Sequence, residues 1–185
     1  VINKLYKGLS GLVKSRGVTF IEGHGKLVAK DTVEVNGTRY TGKNVILATG
    51  SYAKTLPGLE IDGDKIITSD HGTKLNYVPK SVIVLGGGVI GCEFASVWKS
   101  FGSEVTIIEG LPHLISLEDE SSSKQLERAF RKRGINFELG VRFQSVVKTK
   151  KGVTVTLEDG KTFDAEILMV SVGRGPVSAN LGYEE

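Results

Sequence analysis

The stretch Ser81–Glu93, SVIVLGGGVIGCE, limits the folds open to this chain more than any other. Val82–Leu85 is an unbroken run of apolar, mostly β-branched residues, the pattern of a strand buried on both faces. Gly86, Gly88 and Gly91 follow at G-x-G-x-x-G spacing, and a helical pattern runs from Val89 to Phe101. Each glycine has a physical task in such a turn. Gly86 permits the tight bend, Gly88 lets a pyrophosphate reach the backbone, and Gly91 lets the helix pack closely on the strand. The helix start adds unpaired N–H groups and a partial positive charge. Ala95 keeps the sheet-facing side of the helix small. A second strand, Glu104–Ile108, ends in Glu109, eighteen positions past Gly91, about where a carboxylate accepts from an adenosine ribose 2′-OH. Strand, glycine turn, helix and acidic strand end together predict a dinucleotide site.

The rest of the chain extends this plan. From Pro79 the pattern is β-α-β-α-β: Ser81–Leu85, Val89–Phe101, Glu104–Ile108, Ser122–Lys132 and Asn136–Leu139, with Gly102 and Gly134 as helix stops. Arg142–Thr149, Val153–Leu157 and Lys161–Phe163 then alternate like an antiparallel meander, and Glu166–Val172 is a further buried strand ending in Gly173-Arg174-Gly175-Pro176. The first half repeats part of this order. An amphipathic helix, Val1–Arg16, stops at Gly17, and a short strand is expected over Val18–Glu22. A small meander spans Leu27–Thr41, turning at Asn36-Gly37. A buried strand is expected at Asn44–Thr49, before Gly50 and Ser51. The Gly- and Pro-bearing stretch from Pro57 to about Val78 reads as a linker. The first half lacks an opening strand and glycine loop, so alone it would leave core surface exposed.

Composition narrows the function classes. Hydrophobic content of 39% and charged content of 24% are those of a water-soluble globular chain, and no apolar run approaches the ~18 residues that span a bilayer. The net charge is only +3, and the short basic runs Arg131–Arg133 and Lys148–Lys151 read as a helix end and a hairpin tip. No nucleic acid or membrane partner is therefore expected. The sequon Asn36-Gly37-Thr38 reads first as a hairpin turn. Cys92 stands alone, so neither an internal disulfide nor a C-x-x-C pair can form. It reads as a small packing residue, with a stabilised thiolate as the alternative. His24 and His71 sit in expected loops without the cysteine or carboxylate neighbours of a metal site, so none is expected, and His113 reads as a residue of a solvated loop, with a phosphate contact as the alternative. The chain opens at Val1 inside a helical pattern and without a signal peptide, which reads as a piece of a longer, cytoplasmic protein.

Four segments, in order, carry a resemblance: VILATGS at Val45–Ser51, LGGGVIGCE at Leu85–Glu93, VTIIE at Val105–Glu109 and VSVGRGP at Val170–Pro176. Together they resemble the flavoprotein pyridine nucleotide-disulfide oxidoreductases, and within them the branch that oxidises dihydrolipoamide. The opening LYKGLSGLVKSRGV is similar to that branch as well. The resemblance covers essentially the whole chain. It implies a Rossmann-like NAD-binding domain over residues 78–185, with a parallel sheet, helices and a meander. Residues 1–77 would be part of a second, similar FAD-binding domain, cut short at its start, and a linker.

Site residues follow from the resemblance position by position. Gly86, Gly87, Gly88, Val89, Ile90 and Gly91 match the NAD pyrophosphate loop. Glu109 matches the ribose acceptor, Phe143 an apolar neighbour of the adenine, and Gly173 a glycine near the nicotinamide half. Glu93 matches a glutamate that pairs with a lysine near the flavin. Gly25, Thr49, Gly50 and Ser51 match positions against FAD. Glu109 would repel a 2′-phosphate, and the Gly110–His113 stretch offers only His113 against it, so NAD is expected over NADP. The implied partners are lipoyl domains of 2-oxoacid dehydrogenase complexes and a second copy of the full-length protein. No catalytic residue is expected within this stretch, because the redox cysteine pair and the C-terminal base fall on no residue here. Other family members (mercuric reductase, soluble transhydrogenase, NADH oxidase) and a non-catalytic NAD-binding module remain alternatives.

Overall fold

Residues 1–182 of the 185 are described by the computed structural model; the expected NAD-binding stretch runs to 185, and its last three residues lie outside the described residues. The chain divides into two compact units, Val1–Gly50 with Pro176–Glu185, and Ser51–Gly175.

In the first unit, helix α1 (Ile2–Ser15) ends as its sequence requires. Gly17 takes φ +67°, and its N–H and that of Val18 close on the carbonyls of Lys14 and Val13. Strands β1 (Gly25–Ala29), β2 (Thr32–Val35) and β3 (Thr38–Thr41) form the expected antiparallel meander. Its Asn36-Gly37 turn has both residues at positive φ, and the Asn36 amide donates to the Glu22 carbonyl. The expected strand Asn44–Thr49 does not form: the segment joins no ladder, and Ile46 is 88% exposed. Val18–Glu22 is likewise not a strand. An apolar run becomes a buried strand only where neighbours take up its N–H and C=O groups, and no described strand pairs with either segment. Leu5, Leu9 and Leu12 of α1 are exposed for the same want of a packing partner in this unit.

The second unit carries its own core. Strands β4 (Ser51–Ala53) and β5 (Ile66–Thr68) and helix α2 (Ser69–Gly72) come first. β6 (Ser81–Leu85), α3 (Val89–Ser100), β7 (Glu104–Glu109), α4 (Glu120–Lys132) and β8 (Asn136–Leu139) follow. The meander is β9 (Phe143–Lys148), β10 (Val153–Leu157) and β11 (Thr162–Ala165); β12 (Ile167–Val170) and β13 (Arg174–Pro176) close the unit. A five-stranded sheet runs β5-β12-β6-β7-β8, and every neighbouring pair in it is parallel. β13 pairs with β4 in a separate two-stranded ribbon. The stretch read as a linker therefore supplies an edge strand. Two isoleucines and a threonine among Gly, Asp and Pro are too few to show a period. What holds them is Asp62, whose carboxylate accepts from the N–H groups of Asp64, Lys65 and Ile66 at 2.8–2.9 Å and from Lys148 at 3.1 Å.

Period-two alternation sorts the sheet into two cores. Val82, Val84, Ile107, Ile167 and Met169 face α3 and α4, packing on Ala95, Trp98 and Phe130. Ile83, Leu85, Ile108, Leu168 and Val170 face the meander residues Val153, Val155 and Leu157. Burial on both faces explains why these strands read as unbroken apolar runs. The basic run at the end of α4 is structural. Arg131 lies over the Phe137 ring at 4.5 Å, and Arg133 donates to Ser96 and Ser100 near the end of α3.

Candidate dinucleotide-binding site

The parallel sheet brings the C-terminal ends of β6, β7 and β12 side by side, where open α/β sheets bind their ligands. A cleft of about 650 Å³ lies there. It is lined by Gly86, Gly88, Val89, Ile90, Glu109, Phe143 and Gly173 of the expected NAD residues. Leu117, Arg142 and Arg174, which the sequence did not single out, line it too.

The three fingerprint glycines do different things. Gly86 has φ +108°, and a Cβ there would stand 2.3 Å from the Ser171 carbonyl oxygen. At Gly91 a Cβ would stand 2.0 Å from the Gly86 carbonyl oxygen. Both glycines are required by the protein's own backbone. Gly88 differs: its φ is −69°, and beyond its chain neighbours a Cβ there would meet nothing within 4 Å. Nothing inside the chain demands glycine at this position; a ligand against the backbone would. Gly88 is also the N-cap of α3, so the free N–H groups of the helix start open beside that space.

Gly87 sits beneath the loop and is locked on every side. Its N–H donates to Glu109 Oε2 at 2.5 Å, and its carbonyl accepts from Ile115 N at 2.8 Å and from Cys92 Sγ at 3.3 Å. A Cβ there would meet Leu114 at 2.6 Å. Glu109 gains from this lock. Its other oxygen, Oε1, accepts from Leu111 N at 2.8 Å. The carboxylate is thus held by two backbone N–H groups, one oxygen each, and each oxygen keeps lone-pair capacity for a further donor.

Cys92 is a packing residue. It is buried, and its thiol is pushed up to about 12 by desolvation, with the charges of Glu109 and Glu93 adding to it. The thiolate alternative is overturned, because burial at this helix start outweighs the dipole. His113 does not stand free in a solvated loop. Its ring lies 3.6 Å from Glu127 and 3.9 Å from Glu120, so it faces carboxylates. His71 accepts from the Thr68 N–H, capping α2. Among the described residues, no group of three or more His, Cys, Asp and Glu is placed to hold a metal.

Glu93 lies outside the cleft. It is exposed on α3 and lines a separate apolar groove with Tyr77, Val78, Val97 and Phe101. The positions matched to FAD fall in both units. Gly25 is in β1 opposite Val35, Thr49 donates its hydroxyl to the Val177 carbonyl at 2.6 Å, and Gly50 has φ +84°. Ser51, in the second unit, accepts from Arg174 through both its hydroxyl and its carbonyl. No helix among the described residues is long and apolar enough to cross a membrane.

The chain is similar over its whole length to known proteins. It is 41% identical to a dihydrolipoyl dehydrogenase of Cupriavidus necator over 192 aligned residues, covering all of this chain and 40% of the relative. It is 40% identical to a dihydrolipoamide dehydrogenase of Chaetomium thermophilum, covering all of this chain and 39% of that one. The solved structure of LpdA from Mycobacterium tuberculosis superposes with a TM-score of 0.82 at 29% identity, over 96% of this chain and 41% of that chain. The chain thus spans about 40% of the length of the curated relatives it matches. With the family's pattern matched over residues 1–185 and the glycine loop, acidic strand end and parallel sheet in place, the chain belongs to the pyridine nucleotide-disulphide oxidoreductase family.

Proposed function

We propose that the unit Ser51–Gly175 binds NAD, as part of an FAD-containing enzyme that oxidises dihydrolipoamide to lipoamide. The observation that carries this is the pairing, in one cleft, of an open backbone at Gly88 with a pre-oriented carboxylate at Glu109. The pyrophosphate would lie on Gly86–Ile90 at the start of α3. Glu109 would accept from the adenosine ribose, with Phe143 beside the adenine. The nicotinamide half would then lie the other way, from β6 toward β12 and Gly173, a direction the strand order supports. When bound, NAD supplies a hydride acceptor; the chain's own residues hold and orient it. A 2′-phosphate would meet the Glu109 charge, which favours NAD over NADP. Gly25, Thr49, Gly50 and Ser51 are the residues proposed against FAD, in a domain to which the first unit would contribute, and the NAD-binding domain would begin at Ser51 rather than at residue 78, since β5 belongs to its sheet. The names of the relatives, each matched over the whole chain, support the dihydrolipoamide reading. With it come lipoyl domains as partners, a homodimeric full-length protein and a cytoplasmic location.

Titration of the 185-residue chain with NADH tests this. Binding is expected, with NADPH about tenfold weaker or more, since one unit charge opposed at close range is worth that much. Gly88→Val should abolish NADH binding while lowering the thermal unfolding midpoint only slightly, by the weaker helix cap. Gly91→Ala should instead lower that midpoint, by about 2 kcal/mol or more of stability, through the backbone clash. Unchanged NADH affinity in Gly88→Val would sink the assignment. The chain alone, with one cysteine, should not turn over lipoamide.

A further inference from the structure

Arg174 is the cleft residue with the most extensive anchorage. Its Nε donates to Ser51 Oγ at 2.7 Å and its Nη2 to the Ser51 carbonyl at 2.6 Å. Nη1 lies 3.4 Å from Ser69 Oγ and 3.6 Å from Asp70 Oδ1, in the first turn of α2. One guanidinium therefore ties β13 to β4 and to the helix that follows β5. The residue before it, Gly173, turns the chain out of β12 at φ +114°, and its carbonyl accepts from Lys54 N at 2.9 Å. With φ in the left-handed region and no side chain, Gly173 has nothing of its own to fix its place. Its position is set by the ribbon hydrogen bond and by Arg174.

We infer that Arg174 is a positioning residue for the nucleotide: by clamping Ser51 and the start of α2, it holds Gly173 as the wall of the cleft on the β12 side, where the nicotinamide half would lie. This deepens the proposed NAD site and rests on that reading. The adenosine side is held independently, by Glu109 on Gly87 and Leu111. Losing Arg174 should therefore loosen one half of the ligand and spare the other. Lysine should not replace it. The carbonyl and hydroxyl of Ser51 are taken by two nitrogens of one planar fork, and a lysine offers a single point charge.

The test compares two ligands on the 185-residue chain. NADH carries both halves; ADP-ribose lacks the nicotinamide. In Arg174→Met, NADH binding should weaken about tenfold, while ADP-ribose stays within about twofold of the unaltered chain. Arg174→Lys should share most of the NADH loss. Ser51→Ala, which removes only the hydroxyl acceptor, should show a smaller loss in the same direction, and it carries the test if Arg174→Met does not fold. Equal losses for both ligands, no loss of NADH, or full rescue by lysine would overturn the inference and leave the NAD reading standing. Failure of the unaltered chain to bind either ligand would overturn both.

Discussion

At the scale of single residues, the glycine loop separates what the fold needs from what a ligand needs. Gly86 and Gly91 face carbonyl oxygens at distances no Cβ tolerates, whereas Gly88 faces open space. The same neighbourhood decides the behaviour of Cys92. A helix start favours a thiolate, yet burial comes first here and the Glu109 and Glu93 charges reinforce it, so the thiol is raised to about 12. At pH 8 the group should be almost wholly protonated and sealed from solvent. Thiol labelling of the folded chain should therefore be negligible and become rapid on unfolding in denaturant. Fast labelling under native conditions would contradict the packing described. Much of this site was legible in the residues alone, because each glycine has a spacing and a task. Arg174 was not. Its acceptors Ser51 and Ser69 lie 123 and 105 residues upstream, and no local pattern links them.

At the scale of elements, legibility followed length and burial. β6, α3 and β7 were read nearly to the residue, since long apolar runs and a strong helical stripe leave little choice. β5 was hidden, because its three residues owe their strand to the Asp62 turn and to pairing with β12, 102 positions away in sequence. Asn44–Thr49 failed in the opposite way: the residues suit a strand, but pairing is not a property of the segment. Asp62 makes the β5 turn pH-sensitive. Burial pulls its carboxyl upward, but hydrogen bonds from Ile66, Asp64, Lys148 and Lys65 outweigh this and hold it below the usual value of 3.8. The folded pKa is depressed, so the stability it brings is present above the unfolded value and is lost as pH falls through the folded one. Asp62→Ala should lower the unfolding midpoint at pH 7. That gap should close as pH is taken below the ordinary carboxylate range. A gap independent of pH would remove the charge from the explanation.

At the scale of the whole molecule, the second unit is one unbroken stretch of chain, while the first is assembled from both termini. Both apolar cores described above belong to Ser51–Gly175, one on each face of its sheet. The first unit leaves Leu5, Leu9 and Ile46 exposed, although Leu181 is buried. A polypeptide of residues 51–175 alone should therefore fold cooperatively and retain the NADH affinity of the longer chain, as followed by circular dichroism and titration. A non-cooperative melt would show that the remaining residues are needed for its core.

The ribbon of β4 with β13 gives this a practical edge. The second unit begins in one of these strands and reaches its end in the other, so its entrance and exit are neighbours, hydrogen-bonded and pinned by Arg174. A stretch whose two ends already meet can be lifted out of one polypeptide and spliced into a surface loop of another without stretching either host or guest. Such a module is a portable cassette, and its handle is the paired strands β4 and β13.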